Sequence, residues 1–354
     1  MSQNQHYIPQ FYLKYFSKDG INISGYNLTR KQIFEGPLKT QCSKPEFYSE
    51  NPTVEKAFSL FEGKISSVFR LIMEEESFPI SMQDYVELVC YIGWQYGRTK
   101  KSADEMVARA NDIFDYMKPA FASGQKAKEQ GLSLEDFEKV KLSHKHPAIE
   151  TSLHSMQGGL LFHDLQIGLL INTSKQEFIT SDSPVVLFNP YFSGKIIGSQ
   201  LGFASKGLQV YFPISPRHML LLYDPKYYSI PLTKNLSITL SKKKDIRRIN
   251  GLQILHADSN IYYHEYDQKQ LEIQHGELSG KRETGMIIRP VAVKKTPEGA
   301  SELIQFSSKH PQYDLTKLSF LSIRDDADPI PGVRNIEAVE LHRKFTKETF
   351  RRKK

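Results

Sequence analysis

The first sixteen residues constrain the fold of this chain most strongly. Residues 6–16 place five aromatic rings beside one imidazole, one carboxamide and one proline: Tyr7, Phe11, Tyr12, Tyr15 and Phe16 beside His6, Gln10 and Pro9. Solvated chain ends are usually polar, because exposed aromatic surface is unfavourable in water. We therefore expect this segment to pack on the rest of the chain, with His6 and Gln10 inside or beside the core.

The composition predicts a globular protein of one large or two smaller domains, since 354 residues with 39% hydrophobic content can bury a substantial core. No segment approaches the roughly 20 apolar residues of a membrane span, and no basic region precedes an apolar run at the start of the chain. The only cysteines are Cys42 and Cys90. They exclude a disulfide framework and favour a reducing cytosol, so we expect a cytoplasmic protein without a membrane partner.

The net charge of +7 is concentrated at the carboxyl end, because residues 343–354 contain seven basic residues and one acidic residue. This tail, with Arg351 and Arg352, is compatible with phosphate contact, but a solvated or frayed chain end is the favoured interpretation. A second basic run opens a predicted helix inside the fold. It consists of Lys242, Lys243, Lys244, Arg247 and Arg248, for which nucleic-acid contact and a solvated face both stay open.

Apolar spacing predicts helices in the first half and strands in the second. We expect a β-hairpin over residues 20–36, helices over 52–73, 81–118 and 147–162, and a short helix from Ser133 within a polar excursion. Pro119 is expected to end the second long helix. The predicted β segments are 166–171, 177–179, 185–188, 208–212, 219–223 and 261–263, with one helix over 241–257 and weak strands such as 286–288 near the end. This order predicts an α+β fold with a mainly antiparallel β region.

Three regions follow from this pattern. Residues 1–165 hold the N-terminal segment, the hairpin and the helical block. Residues 166–265 form a β-rich region packed on it. Residues 266–354 are a C-terminal extension with the basic tail.

The sequence contains no glycine-rich phosphate loop, no zinc-spaced His/Cys set and no Gly-x-Ser-x-Gly elbow. His144 and His146 form an H-x-H pair, but it lies in the polar excursion without a neighbouring carboxylate or cysteine in sequence, so we predict no metal site there. A divalent cation such as Mg²⁺ stays open as a cofactor.

Two polar groupings stand out within apolar surroundings. Glu87, Tyr91 and Gln95 follow one another at helical spacing, and Arg98 comes three residues later. This stripe is either a set of buried side chains that hydrogen-bond to backbone groups and carboxylates, or part of a functional site. Residues 180–184 gather three hydroxyls and the Asp182 carboxylate at a strand end, which suits either a turn or a carboxylate offered to an arginine, a histidine or a cation.

Several motifs together resemble a known family. These are His6-Tyr7-x-Pro9-Gln10-x-x-Leu13-x-x-Phe16, Phe47-Tyr48 ahead of a helix with Glu55 and Glu62, Gln95-x-x-Arg98-Thr99, Thr180-Ser181-Asp182-x-Pro184 and Pro213-x-Ser215-Pro216. Their order and spacing resemble the bacterial DUF4238 family over about residues 5–265. The family is a domain of unknown function. The resemblance implies that His6, Gln10, Gln95, Arg98 and Asp182 act as a set.

This set suits the recognition or cleavage of an anionic ester. His6 would act as an acid or base, Arg98 would hold a phosphate, and Asp182 would orient His6 or bind a divalent ion. Gln10 and Gln95 would position substrate or water. We therefore expect a bacterial cytosolic effector, a nuclease or phosphoester hydrolase acting on nucleic acid or a nucleotide in phage defence or a toxin-like system.

The alternative function is a non-catalytic binding or scaffold module, which leaves room for a protein partner. In that case the same polar groups form a buried network that fixes the N-terminal segment on the helices. Exposure separates the two: an open pocket with His6, Arg98 and Asp182 favours the enzyme, and a closed hydrogen-bonded cluster favours the scaffold.

Overall fold

The computed structural model describes residues 4–49, 52–78, 80–193, 201–282, 285–296 and 299–351. The amphipathic spacing in the first half of the chain produces most of the helices. They are α1 (Gln10–Lys14), α2 (Pro52–Glu75), α3 (Met82–Gly97), α4 (Lys100–Ser123), α5 (Gln125–Glu129), α6 (Leu134–Glu138), α7 (Pro147–Gly158), α8 (Lys243–His256), α9 (Gln268–Leu278) and α10 (Ile336–Arg351). None of the helices within these ranges is long and apolar enough to cross a membrane.

The strands lie mainly in the second half, so the chain is an α+β protein, as predicted. They are β1 (Asn4–His6), β2 (Asn22–Asn27), β3 (Gln32–Pro37), β4 (Ser43–Pro45), β5 (Gln166–Asn172), β6 (Thr180–Ser181), β7 (Val186–Phe188), β8 (Gln209–Pro213), β9 (His218–Tyr223), β10 (Tyr228–Ser229), β11 (Ser237–Leu240), β12 (Asn260–Tyr263), β13 (Gly285–Thr296), β14 (Gly299–Lys309) and β15 (Ser322–Ile323). The two larger sheets have the orders β11-β5-β9-β8-β7 and β3-β2-β12-β6. Only the pairing of β11 with β5 is parallel within these two sheets.

The five-stranded sheet separates two hydrophobic cores, because successive side chains of a strand point to opposite faces. Leu220 and Leu222 of β9 join the core that contains Phe69 of α2. Leu221, between them, joins the core that contains Ile249 of α8. Each such buried aliphatic side chain contributes about 1.5–3 kcal/mol relative to an exposed one. The sheet is therefore covered by α2 and α3 on one face and by α8 on the other.

The N-terminal segment packs into the first core, as its aromatic content predicted. Tyr12 and Phe16 are fully buried, and Tyr7 is nearly so. The Tyr12 hydroxyl lies 2.6 Å from the Pro213 carbonyl oxygen and 2.6 Å from Thr180 Oγ1. This segment therefore joins the helices to both sheets.

The helix predicted over residues 81–118 is instead two helices, and Pro119 does not end the second. Arg98 follows α3, and the Thr99 hydroxyl caps the N-terminus of α4 by accepting from the Ser102 N–H. Proline removes one hydrogen bond from a helix interior and clashes with the preceding turn. In α4 this cost is offset by the last turn, where Phe121 packs on Phe114 and Phe137 with centroid distances of 5.9 and 6.4 Å.

Two other parts of the secondary-structure prediction need correction. The segment predicted as a strand at 177–179 is extended loop, and the short strand β6 follows it. The helices α5 and α9 were missed, and α9 forms because Leu271 and Leu278 are buried in a third core. The weak strand predicted at 286–288 is confirmed as part of the longer strand β13, which pairs with β14. The boundaries of the three predicted regions stay a prediction.

Two glycines allow α7 to lie directly on α3. A Cβ atom on Gly93 would lie 2.2 Å from the Ser155 carbonyl oxygen, and one on Gly97 would lie 2.4 Å from the Thr151 carbonyl oxygen. Such distances are sterically forbidden, so only glycine permits this approach. The face of α3 that carries Gly93 and Gly97 is consequently covered by α7.

Candidate active site

Arg98 lies at the end of α3 and is 2% exposed. Its three nitrogens donate to three groups: Nε to the Tyr48 hydroxyl at 2.9 Å, Nη1 to Glu62 Oε1 at 2.6 Å and Nη2 to the His6 carbonyl oxygen at 2.6 Å. The guanidinium carbon lies 3.9 Å from the centroid of the Trp94 ring. We name this the Arg98 network, consisting of His6, Tyr48, Glu62, Trp94 and Arg98. Arg98 hydrogen-bonds to Tyr48, Glu62 and the His6 main chain, and Trp94 contacts it through its ring.

The N-terminal segment is held on α3 through its main chain. Gln95, fully buried, donates from Nε2 to the Tyr7 carbonyl oxygen at 3.1 Å. The His6 carbonyl oxygen accepts from Arg98, whereas the His6 ring places Nε2 3.2 Å from the Lys39 carbonyl oxygen. Burial lowers the pKa of His6. The structure thus brings Gln95, Arg98 and the main chain of His6 together.

Asp182 and Gln10 lie outside this network. The Asp182 carboxylate, 2% exposed, accepts from the backbone N–H groups of Asp258, Ser259 and Asn260 at 2.7–2.8 Å. Burial raises the pKa of Asp182 to about 6, against the opposing effect of these three donors. Gln10 is exposed at the first position of α1. A catalytic role for this set stays a prediction.

Replacing Asp182 by asparagine should destabilise the protein. The amide would place an N–H₂ group against backbone N–H donors, leaving buried donors unpaired at a cost of about 1–3 kcal/mol. Denaturant unfolding followed by circular dichroism measures the effect. Asp104→Asn is the matched control, because Asp104 is 61% exposed and pairs only at the surface. Equal stability of the two variants would contradict a structural role for the Asp182 carboxylate.

The predicted nucleic-acid residues divide into free and engaged groups. Lys242, Lys243 and Lys244 are exposed at the start of α8. Arg247 pairs with Glu277 at 3.0 Å, and Arg248 donates to the Lys317 carbonyl oxygen at 2.6 Å. Arg351 is the last residue of α10, and Arg352 lies outside the described residues.

The H-x-H pair is engaged within the polar excursion. His144 Nε2 lies 2.6 Å from Glu150 Oε2, and its Nδ1 accepts from the His146 N–H at 3.2 Å. Across the described ranges, no group of three or more His, Cys, Asp or Glu side chains could hold a metal ion. The side chains of these ranges therefore do not form a site for a divalent cation.

A large open cleft lies away from the Arg98 network, where the β2–β3 hairpin, the loop before β6, the start of α8 and the β12–α9 connection meet. Its volume is about 690 Å³. We name it the Glu177 cleft. It is lined by Lys18, Ser24, Ile33, Phe34, Glu35, Lys175, Gln176, Glu177, Lys243, Tyr263, His264, Glu265, Tyr266, Asp267, Gln268 and Gln270.

A carboxylate and an imidazole are paired in this cleft. Glu177 Oε2 lies 3.2 Å from His264 Nδ1 and also accepts from the Glu265 N–H at 2.9 Å. Glu177 Oε1 lies 3.4 Å from Arg217 Nη2. The Glu177 side chain is 9% exposed and that of His264 is 35% exposed. A carboxylate bound to Nδ1 sets the tautomer in which Nε2 carries the free lone pair, the form that accepts a proton.

Glu177 is held in place by α8. Asn250, fully buried on that helix, donates to the Glu177 carbonyl oxygen at 2.8 Å and accepts from the Ile179 N–H at 3.2 Å. These two bonds fix the loop before β6 as a strand partner would. In the sequence, Asn250 lies between apolar residues of α8, so its amide must be buried and needs hydrogen-bond partners. This was the signal that the loop is held by a side chain and not by a neighbouring strand.

Two further groups of the cleft have unused hydrogen-bonding capacity. Gln176 Oε1 and the Tyr263 hydroxyl are buried and have no hydrogen-bond partner in the part of the chain that the structure describes. Buried polar groups are rarely left unpaired. Both line the Glu177 cleft, so they are available to a ligand there.

One protein family matches most of this chain. The family described as "Protein of unknown function (DUF4238)" matches residues 4–267. The chain belongs to this family. The matched range confirms the resemblance over residues 5–265, and it includes Glu177, Lys243 and His264. No curated protein and no solved structure matches the chain. Membership of DUF4238 therefore supplies a family without an activity.

Proposed function

We propose that this chain binds a nucleotide or nucleic acid in the Glu177 cleft and cleaves or modifies a phosphoester there. The observation that carries the proposal is the Glu177–His264 pair, a buried carboxylate holding a half-exposed imidazole at the wall of a large open cleft. Such chemistry is what the proposed role as a bacterial cytosolic effector requires.

The pair supplies proton transfer. His264 Nε2 would take a proton from a water or hydroxyl nucleophile as its oxygen bonds to phosphorus, and the imidazolium would return the proton to the leaving oxygen. Glu177, held at 3.2 Å from Nδ1, offsets the positive charge that forms on the ring. Arg217 Nη2, at 3.4 Å from the other carboxylate oxygen, is a second cationic partner of Glu177.

The cleft also has groups suited to a phosphorylated ligand. Lys175 and Lys243 are exposed cations on its wall and would attract phosphate. The Lys18 cation instead pairs with Glu265 at 3.2 Å. Gln176 Oε1 and the Tyr263 hydroxyl, which have no partner within the described ranges, would supply hydrogen bonds that fix the orientation of the ligand. A volume of about 690 Å³ lies in the range of ordinary small-ligand sites.

The direct test is incubation of the purified protein with labelled RNA, DNA and mononucleotides, with and without Mg²⁺ or Mn²⁺. We expect conversion of at least one substrate class, measured by gel and by chromatography of the products. Neither conversion nor saturable binding of any of the three classes would overturn the proposal.

Lysine substitutions should separate the cleft from general surface charge. Lys243→Ala should weaken nucleic-acid binding and lower the slope of log affinity against log salt by about one unit, because one phosphate contact is lost. Lys244→Ala is the matched control, since Lys244 is adjacent and exposed but does not line the cleft. Binding is measured by fluorescence anisotropy over a salt series. An equal loss in both variants would assign the effect to net charge alone.

The second candidate function is a non-catalytic binding or scaffold module. The closed Arg98 network supports it, because Arg98 has all three nitrogens engaged within the protein and fixes the N-terminal segment on α3. This structural role for the motif residues is compatible with chemistry in the Glu177 cleft.

A further inference from the structure

A second, smaller cavity lies between α4, the end of α8, the turn after β6 and the segment that follows β14. Its volume is about 140 Å³. Four basic side chains from three separate parts of the chain line it: Lys101, Arg109, His256 and His310. We name it the His256 cavity. Thr99, which belongs to one motif of the family, and Ser183, at the unspecified position of another, also line it.

The electrostatic environment at its two imidazoles is positive. Burial and, after it, the neighbouring Arg109 and Lys101 lower the pKa of His310 to about 4. The pKa of His256 is lowered by burial and then by Lys101, His310 and Arg282. Two carboxylates also line the cavity: Glu105, at 3.0 Å from Arg109 and 3.9 Å from Lys101, and the exposed Asp112. The charged neighbours that shift the pKa of both imidazoles are nevertheless cationic.

The cavity contains buried polar atoms without a protein partner. His256 Nε2 and Ser183 Oγ make no hydrogen bond within the described ranges. Meanwhile Lys101 Nζ donates to the His256 carbonyl oxygen at 2.7 Å, so the lysine is held at the cavity wall by the main chain rather than by a carboxylate. Unpaired buried donors beside convergent cations favour a ligand with several acceptor oxygens.

The size of the cavity restricts that ligand. Its volume of about 140 Å³ is far smaller than the 690 Å³ of the Glu177 cleft. A tetrahedral oxyanion has five non-hydrogen atoms, whereas a whole nucleotide is several times larger. The cavity therefore has room for one phosphate-sized group.

We propose that the His256 cavity binds a tetrahedral oxyanion of the phosphate class, held by Lys101, Arg109, Ser183, His256 and His310. The anion would be either free phosphate or the terminal phosphate of a larger molecule, since both present the same oxygens. Because its ligands come from α4, from the turn after β6, from α8 and from the segment after β14, the bound anion ties these four elements together. This site is separate from the Glu177 cleft and does not depend on chemistry there.

The test is isothermal titration calorimetry and thermal unfolding of the full chain with inorganic phosphate, sulfate and adenosine monophosphate, at constant ionic strength set with NaCl. We expect phosphate and sulfate to bind the wild type, and saturating anion to raise the melting temperature by on the order of 2–4 °C. Arg109→Gln should weaken binding at least about tenfold through the loss of one charge-assisted contact, and His310→Gln should weaken it through the loss of an imidazole donor. Arg70→Gln, at an exposed arginine of α2, is the control and should bind as the wild type does. Lys243→Ala instead reports on binding in the Glu177 cleft.

The three probes distinguish free phosphate from a terminal phosphate, and the variants distinguish the His256 cavity from the Glu177 cleft. Binding of inorganic anions alone supports free phosphate as the ligand. Tighter binding of adenosine monophosphate that is lost in Arg109→Gln supports a terminal phosphate. Absence of binding and of thermal stabilisation by all three probes would overturn the proposal, as would equal weakening in Arg70→Gln. Binding of all three probes that is lost only in Lys243→Ala would also overturn it, while leaving the proposal for the Glu177 cleft intact.

Discussion

Replacing His264 by alanine should lower the rate of phosphoester conversion by about 10²–10⁴-fold, the usual contribution of a positioned acid or base. The melting temperature should change little, because His264 is 35% exposed and its removal leaves Glu177 paired with Arg217 and the Glu265 N–H. Initial rates on the substrate found in the panel, together with thermal unfolding, measure both quantities. Glu177→Gln should give a smaller loss, since the amide keeps the shape but removes the charge that stabilises the imidazolium.

The matched control for this prediction is His163→Ala, because His163 is exposed and lies outside the Glu177 cleft. It should retain wild-type activity. Full activity in His264→Ala would remove His264 from the mechanism. A loss of activity that only parallels a loss of folded protein would leave the pair a structural feature of the fold.

Replacing Arg98 by alanine should reduce the free energy of unfolding by about 3 kcal/mol, the lower end of the range for breaking a buried ion pair. The lower end applies because Glu62 is still 21% exposed and is partly rehydrated. The substitution also leaves the Tyr48 hydroxyl and the His6 carbonyl oxygen without their donor and removes the contact with the Trp94 ring. Urea unfolding measures the change.

Two further variants interpret the Arg98 result. Arg70→Ala should be close to neutral, because Arg70 is exposed on α2. Arg98→Lys should recover only part of the stability, since an ammonium cannot reproduce the three directed contacts of the guanidinium. Wild-type stability in Arg98→Ala together with a complete loss of activity would contradict the structural role and support the catalytic set of His6, Arg98 and Asp182.

Local patterns in the sequence predicted much of the fold. The apolar spacing after Pro52 predicted α2, and the aromatic residues at the N-terminus predicted its burial, because both depend on side chains within one segment. The errors came where tertiary packing outweighs propensity. Pro119 lies inside α4 because the aromatic contacts of Phe121 hold its last turn, and α9 forms because a core receives Leu271 and Leu278.

The candidate site was less predictable than the fold. The motif residues were recognised, but their order in the chain did not show that Arg98 would use its donors on Glu62, Tyr48 and a main-chain carbonyl. Glu177 was assigned to a strand, and His264 carried no local signal. Each lies at the end of an apolar run, Glu177 before Phe178 and His264 after Tyr263, as many polar residues of the chain do, so nothing within a short window distinguishes them.

By itself the sequence determined most of the long helices and strands, the burial of the N-terminal segment and the family to which the chain belongs. These properties follow from periodicity and composition, which act within a few turns or strands. Only the tertiary structure decided which polar groups meet. Glu177 and His264 are 87 residues apart, and Lys101 and the His256 carbonyl are 155 apart. Such pairs form because helix packing and sheet register bring distant backbone together, and no local pattern encodes that geometry.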